Sequence, residues 1–366
     1  MSTRSAETAY LFRHAIVREA AYELQLPAER ARLHGAAAEV LRRAPPEQLE
    51  MLAAEIADHL RAAGADTTVE LEFALRAARY AVANYHHDDV FRLMQRVTEI
   101  GSPENVFEAR QALYTWQRRH RSDAAAARYQ AMELFRFGRR EDYAGAVAVA
   151  LNGLAGLTDA RRACRLHRRA FRVATRAASE VAAGLALGNL AVRKIQLGDH
   201  RMAMRLLVRA IEIHRRAQNP AGVGYYLVTL AGEQALSGDL PKARRTAEEG
   251  VRILRDLSAK QYLPVACGKL AGLVAKAGEL DQAAALLAEA EQMALEISSV
   301  GDLADIRVHR ALIALSNGRI EAAQRHWADG ARLLLELGKR EALKRSQDEI
   351  AEACRQAGVP VFKAPE

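Results

Sequence analysis

The chain has 366 residues, half of them apolar, 27% charged and only 5% aromatic, with a formal net charge of +8. No run approaches the roughly 18 uninterrupted apolar residues of a membrane-crossing helix, and the three scattered cysteines, Cys164, Cys267 and Cys354, form no CxxC pair. These properties exclude a membrane span and a disulfide-stapled domain, and they predict a cytoplasmic protein with reduced thiols, ample apolar material for a core and a modest attraction to acidic partners.

Residues 1–65 read as a helical module broken at Pro45-Pro46, with no apolar signal core in MSTRSAETAYLFRH. His14, His34 and His59 stand on separate predicted helices, where packing at helix crossings is the preferred reading over a zinc site. The string YLFRHAIVREAAYELQLPAERARLHGAAAEVL spans residues 10–41 and carries Phe12, His14, Val17, Ala21, Tyr22, Leu26, Pro27, Leu33 and His34. Together with LAAEIADHLRAAGA at 52–65, it resembles a segment of large bacterial signal-transduction ATPases. In those proteins the segment lies between the nucleotide-binding module and a tetratricopeptide-like tail. The resemblance implies the C-terminal arm of such a protein, or a relative without the rest. The ATPase loop itself is absent, because Gly268-Lys269 and Gly338-Lys339 lack both the earlier glycine and the following Ser or Thr.

Next comes His86-His87-Asp88-Asp89, four consecutive side chains that diverge on a helix rather than converge on a metal. This predicts a helix N-terminus capped by Asp88 or Asp89. From here onward small residues recur in columns. Gly198, Gly238, Gly278 and Gly318 are forty residues apart and open the phrases GDHRMA, GDLPKA, GELDQA and GRIEAA. Five residues after each glycine stand Ala203, Ala243, Ala283 and Ala323, and seven further on Ala210, Gly250, Ala290 and Gly330. Seven before each glycine stand Ala191, Ala231, Ala271 and Ala311. A spacing of seven returns to the same helix face, so these columns mark close backbone approach between paired helices. Ala163/Ala170, Ala124/Ala131 and Val90/Val97 continue the columns upstream, with Thr158 in the glycine slot. About seven hairpins then fit between residues 70 and 356. The glycine slot suits a left-handed turn, and Asp199, Asp239 and Glu279 suit the N-terminus of the following helix.

A fixed period of this length marks a repeat architecture. The unit resembles the tetratricopeptide repeat, with Gly-Asp at the turn, small residues at both helix crossings, and Leu187/Leu190, Leu227/Leu230 and Cys267/Leu270 at first-helix apolar positions. It departs from that family's 34-residue unit by about six residues, expected between hairpins near Gln218 to Gly222, and it lacks the first aromatic. The expected fold is all-α: a right-handed superhelical α-solenoid of tetratricopeptide-like hairpins over residues 66–357, with the N-terminal helical module at 1–65 and a tail at 358–366 that trails off.

The chemistry expected of such an array is binding. No HExxH or GxSxG occurs, Gly222-Val223-Gly224 lacks the third glycine of a dinucleotide loop, and Cys267 fills an apolar column, so no enzyme, cofactor or metal is expected. First helices line the concave side of tetratricopeptide arrays, which points to Asn189, Arg193, Tyr225, Thr229, Lys269 and His309 as contacts for a protein or peptide ligand. Asn189 sits where peptide-clamping repeats often carry Asn, by resemblance. Gly188, Gly232, Gly268 and Gly272 weaken these helices, and close packing is the preferred explanation over an approaching ligand backbone.

On a second helix, Arg161, Arg165, Arg168 and Arg172 form one stripe at i, i+4, i+7 and i+11, with Arg162, Arg169 and Arg176 alongside and Arg118, Arg119 and Arg121 upstream. A solvated outer face is preferred there over phosphate contact, and nucleic acid ranks below protein as partner because interleaved aromatics are scarce. An uncapped terminal hairpin would offer a route to a homo-oligomer; no membrane partner is expected. The leading expectation is a non-catalytic interaction scaffold, as a sensing arm in signal transduction. The alternative is a peptide-receptor regulator, a layout that some bacterial regulators share: a helical module followed by about seven such hairpins.

Overall fold

The computed structural model describes residues 20, 22–84, 86–117, 124–338 and 340–364. The chain forms two compact units, Met1–Ala109 and Arg110–Glu366. Among the described residues every regular element is an α-helix.

The first unit holds α1 (Pro27–Leu41), α2 (Pro46–Ala62), α3 (Thr67–Ala83), α4 (His87–Ile100) and the start of α5 (Pro103–Trp116). Proline opens α1 and α2, where its missing N–H costs nothing, and the Pro45-Pro46 break lies between them. Asp66 caps α3 by accepting from Thr68 N. Buried Glu70 accepts from Arg96 Nε at 2.6 Å and Nη2 at 2.9 Å, tying α3 to α4. The cap of α4 differs from expectation. His86 holds the N-cap without a side-chain hydrogen bond, and Asp88 and Asp89 fall inside the first turn, where they still complement the helix dipole. Of the residues that carry the likeness to ATPase arms, Phe12, His14, Val17 and Ala21 lie outside the described residues.

The second unit continues through α6 (Ala124–Arg140), α7 (Ala144–Gly156), α8 (Ala160–Arg176), α9 (Glu180–Gln196), α10 (His200–Arg216) and α11 (Pro220–Leu236). It ends with α12 (Leu240–Asp256), α13 (Leu263–Lys276), α14 (Leu280–Glu296), α15 (Val300–Ser316), α16 (Ile320–Glu336) and α17 (Arg340–Ala357). Among the described residues consecutive helices pack as hairpins in α3/α4 and in α7/α8, α9/α10, α11/α12, α13/α14 and α15/α16, followed by the closing helix α17. Each first helix of this unit from α7 to α13 packs on its own second helix and on the next first helix, so α7, α9, α11, α13 and α15 form the inner layer.

The small columns sit where the helices cross. Ala203, Ala243, Ala283, Ala323 and the Ala191 to Ala311 column have no exposed surface. A Cβ on Gly250 would lie 2.7 Å from Gly224 O, so α11 and α12 meet backbone to backbone. Between the small residues, Leu207, Leu254, Leu287 and Leu334 are fully buried, each worth roughly 1.5–3 kcal/mol against exposure.

Left-handed backbone recurs every twenty residues from Ala178 to Gly358. Glycine takes the turn inside each hairpin (Gly198, Gly238, Gly278, Gly318), and Ala178, Gln218, Ser258 and Ser298 take the turn between hairpins. This corrects the expected long loop at Gln218 to Gly222. Only residues 217–219 separate α10 from α11, and the extra residues lengthen the helices, most of which span 17 residues. Asp199, Asp239, Asp159 and Asn219 cap the next helix through their side chains. Glu279 does not, and instead pairs with Arg244.

The C-terminal stretch is also corrected. It does not trail off through residue 364: Phe362 is buried against α16, Trp327 Nε1 donates to Lys363 O at 3.1 Å, and Gln347 Nε2 donates to Phe362 O at 2.7 Å. The last hairpin is thus covered by α17 and this strap.

Candidate binding cleft on the inner face

The inner layer of residues 110–366 encloses a cleft of about 490 Å³. Tyr114, Asn152, Leu185, Asn189, Arg193, Tyr225, Tyr226, Tyr262 and Asp302 line it from α5, α7, α9, α11, the turn before α13, and α15. Outer helices reach it as well, with His167 from α8 and His214 from α10.

Three of the sequence-chosen residues meet here: Asn189, Arg193 and Tyr225. Asn189 Oδ1 accepts from Tyr226 OH at 3.3 Å, and Arg193 Nη1 donates to Gln196 Oε1 at 2.8 Å. Thr229 and Lys269 lie outside the cleft lining, joined by a 3.2 Å hydrogen bond from Lys269 Nζ to Thr229 Oγ1. Lys269 Nζ also lies 5.8 Å from the centre of the Tyr225 ring. Burial holds the Lys269 ammonium below its ordinary pKa, opposed by Asp305 and Glu233. Glu233 is itself buried and accepts from His200 Nδ1 at 2.8 Å. His309 is turned onto its own helix, donating to Asp305 O at 2.7 Å.

The glycines of the inner helices divide into two kinds. A Cβ on Gly188 would fall 2.2 Å from the Tyr226 ring, and one on Gly184 or Gly222 would fall 2.8 and 2.7 Å from His214. These three make room for rings. Packing does not explain three others: Gly232 faces open space, and Gly268 and Gly272 have neighbours only at 4.0 and 3.9 Å.

The buried polar groups of the cleft were missed by column reading. His167 Nδ1 lies 2.8 Å from Asn152 Oδ1, and both side chains are buried. With the amide oxygen facing the ring, Nδ1 carries the proton, since that oxygen can only accept. Burial, reinforced by the nearby Arg193 charge, pushes the His167 pKa down to about 3, so the ring is neutral and its Nε2 is an acceptor. Neither His167 Nε2 nor Asn152 Nδ2 has a partner among the described residues. His214 is likewise held below its ordinary pKa by burial, stacks on Tyr226 at 5.4 Å, and accepts from Asn219 Nδ2 at 3.2 Å. Burial, then Tyr225 and Tyr262, raise the Tyr226 hydroxyl well above its usual value, keeping it a neutral donor to Leu185 O and Asn189.

Outside the cleft, Arg161, Arg165, Arg168 and Arg172 are exposed on α8, and no carboxylate among the described residues forms an ion pair with them. Arg118, Arg119 and Arg121 lie outside the described residues. His34 and His59 meet, Nδ1 to Nδ1 at 2.7 Å, while His14 is not described. Among the described residues no three metal-ligating side chains come together, and no helix is long and apolar enough to cross a membrane. The three cysteines are buried and unpaired. Burial and Glu289, opposed by Arg255, push the Cys267 thiol up to about 11.

No protein-family model and no curated protein matches the chain. Solved structures do. The apo form of RapI is 15% identical, with 74% of this chain and 99% of that chain covered at a TM-score of 0.54. A Rap protein complexed with Competence and Sporulation Factor is 13% identical, with 91% and 98% covered, also at 0.54. A Signal Transduction ATPase with Numerous Domains protein with a tetratricopeptide repeat sensor, from Pyrococcus horikoshii, is 13% identical at a TM-score of 0.48; the match covers 95% of this chain and 52% of that one. At these identities the likeness to the two Rap structures is one of fold. The chain has a tetratricopeptide-like helical repeat fold.

Proposed function

We propose that the inner cleft captures an extended peptide or protein segment, and that the chain works as a non-catalytic scaffold in a regulatory or sensing system. Residues 66–357 carry the binding array in this reading, with residues 1–65 as the module it serves.

The observation that carries the reading is the pair Asn152–His167. Buried polar groups are nearly always satisfied, and these two leave a donor and an acceptor unmet beside a cleft. A peptide group offers the complement, with its carbonyl accepting from Asn152 Nδ2 and its N–H donating to His167 Nε2. Tyr114, Tyr225 and Tyr262 add broad, rigid contact surface for side chains. Asn189 and Arg193 extend the polar row along α9. A Rap protein of similar fold was solved complexed with Competence and Sporulation Factor, which agrees with a ligand-receiving role for this architecture.

The test is panning of a displayed random-peptide library against the full chain. Enriched peptides should bind Asn152→Ala and Asn189→Ala variants about tenfold more weakly, the scale of one lost hydrogen bond each. Helicity should stay unchanged. Peptides that bind the variants and the wild type alike would place the site elsewhere.

A further inference from the structure

Outer-face charge in the second unit is organised by ion pairs between consecutive second helices. Arg215 of α10 reaches Glu249 of α12 at 3.4 Å, and Arg255 of α12 reaches Glu289 of α14 at 2.7 Å. Arg244 to Glu279 and Lys260 to Glu296 at 3.6 Å reinforce the ladder. Its acceptors Glu249 and Glu289 stand forty residues apart, and the next residue of that column, Asp329, pairs instead with Arg307 and Arg332. One and two steps before Glu249 the same column holds Arg209 and Arg169, so the acceptor is replaced by charge of the opposite sign.

The reversal is complete on α8. Its 17 residues include seven arginines and no carboxylate. Arg161/Arg165, Arg165/Arg168 and Arg168/Arg172 are like-charge neighbours at i+3 or i+4, a destabilising arrangement on a solvated helix. The nearby Asp159 is engaged in the helix cap, accepting from Arg162 N at 2.9 Å. Arg209 lies 5.6 Å from the centre of the Phe171 ring, so the basic surfaces of α10 and α8 join into one patch.

We infer that this patch binds the phosphate backbone of a nucleic acid without reading base sequence. Three features select that partner. The patch on α8 is all arginine, whose forked donors match phosphate oxygens. No large apolar side chain is exposed on α8, whereas a protein interface or a membrane-inserting face carries an apolar centre. Arg161, Arg165, Arg168 and Arg172 spread their charge along about 16 Å of helix, a row suited to a linear polyanion. The scarcity of aromatics weighs against base stacking and leaves backbone contact untouched.

The experiment uses the full chain and a fluorescent mixed-sequence duplex of roughly twenty base pairs, with anisotropy read at about 50 and about 200 mM salt. Wild type should bind with a log–log salt slope of about −3.6, the value for four neutralised phosphates. The quadruple variant Arg161→Gln, Arg165→Gln, Arg168→Gln, Arg172→Gln should bind at least about tenfold more weakly with a flattened slope. Its melting temperature should match or exceed wild type, because repulsion is relieved; if it fails to fold, the double variant Arg165→Gln, Arg168→Gln serves in its place. A control quadruple with the same charge change, Arg319→Gln, Arg325→Gln, Lys344→Gln, Arg345→Gln, should bind like wild type. Three results would overturn the inference: no wild-type binding at the lower salt, equal weakening by the control, or competition by polyglutamate as effective as by unlabelled duplex. The last would assign the patch to an acidic protein.

Discussion

First and second helices of the array mostly have similar lengths and meet at the same small-residue columns, yet their side chains do opposite work. An inner helix such as α13 is covered from two sides and buries Leu263, Cys267, Leu270 and Val274 around its girth. An outer helix such as α12 buries one stripe, Ala243, Ala247, Val251 and Leu254, and gives its other faces to charge. The inner layer therefore has few positions left for polarity: Asn152, Asn189 and Arg193 open on the cleft, while Thr229, Glu233 and Lys269 pair outside its lining. The outer layer has polarity to spare, so ordinary charge there means little. What distinguishes α8 is an imbalance, since the mixed-sign pattern of α12 is missing.

The sharpest way to break this comparison is at the plane between the layers. Gly250 faces Gly224 O at a distance no side chain can share, and backbone cannot swing aside. Gly250→Val should cost about 3 kcal/mol, read as a lowered urea midpoint. A loss below about 1 kcal/mol would mean that the layers slide freely and that the small columns do not set their spacing.

A second test follows from an outer helix lending a side chain to the inner cleft. His167 is neutral in the folded chain with a pKa of about 3, whereas an unfolded histidine titrates near 6.5. Below pH 6.5 the unfolded chain therefore takes up a proton that the folded chain refuses until about pH 3. Stability is unaffected by this group above pH 6.5 and falls as the pH drops through that window. At pH 5 the loss is about 2 kcal/mol. His167→Leu, the residue that Leu207 and Leu287 place in the same column, should flatten the melting temperature between pH 7 and pH 5 relative to wild type. An equally steep fall in the variant would remove His167 as the source.

Those same columns explain what could be read from the sequence. Close helix crossings favour small residues, so the hairpins announce themselves in the Ala203 and Ala191 columns without any knowledge of the ligand. Turn lengths did not announce themselves: Pro220 and Gly222 resemble loop residues, but Pro220 sits at the first helical turn and Gly222 clears the His214 ring. The strap was missed because Phe362 finds its pocket only through tertiary contact with α16 and α17. In the cleft, Asn189, Arg193 and Tyr225 were legible from inner-face register. His167 and His214 were not, because they belong to outer helices. A signal existed all the same. His167 shares its column with Ala127, Leu207, Ala247, Leu287 and Trp327, and His214 with Ala174, Leu254, Ala294 and Leu334, all buried. An ionisable side chain in a column of core residues marks a place where the core has been given up for something polar.

The smallest expected effect separates the two kinds of inner glycine. Gly188 cannot take a methyl group without displacing the Tyr226 ring, so its absence of a side chain is a packing requirement. Gly232 lies mid-helix in α11 with nothing within 4 Å of a Cβ. There the helix bears the entropic cost of glycine with no packing return. Gly232→Ala should therefore stabilise the chain by up to about 1 kcal/mol. For a unit of this size that raises the melting temperature by roughly 2–4 °C, measurable by circular dichroism. Stabilisation together with unaltered peptide capture would make Gly232 neutral to the proposed site. Stabilisation with weakened capture would extend the binding surface one turn along α11, beyond the cleft that Asn152 and His167 define. A lowered melting temperature would contradict the open space around that position and, with it, the division of the inner glycines into two kinds.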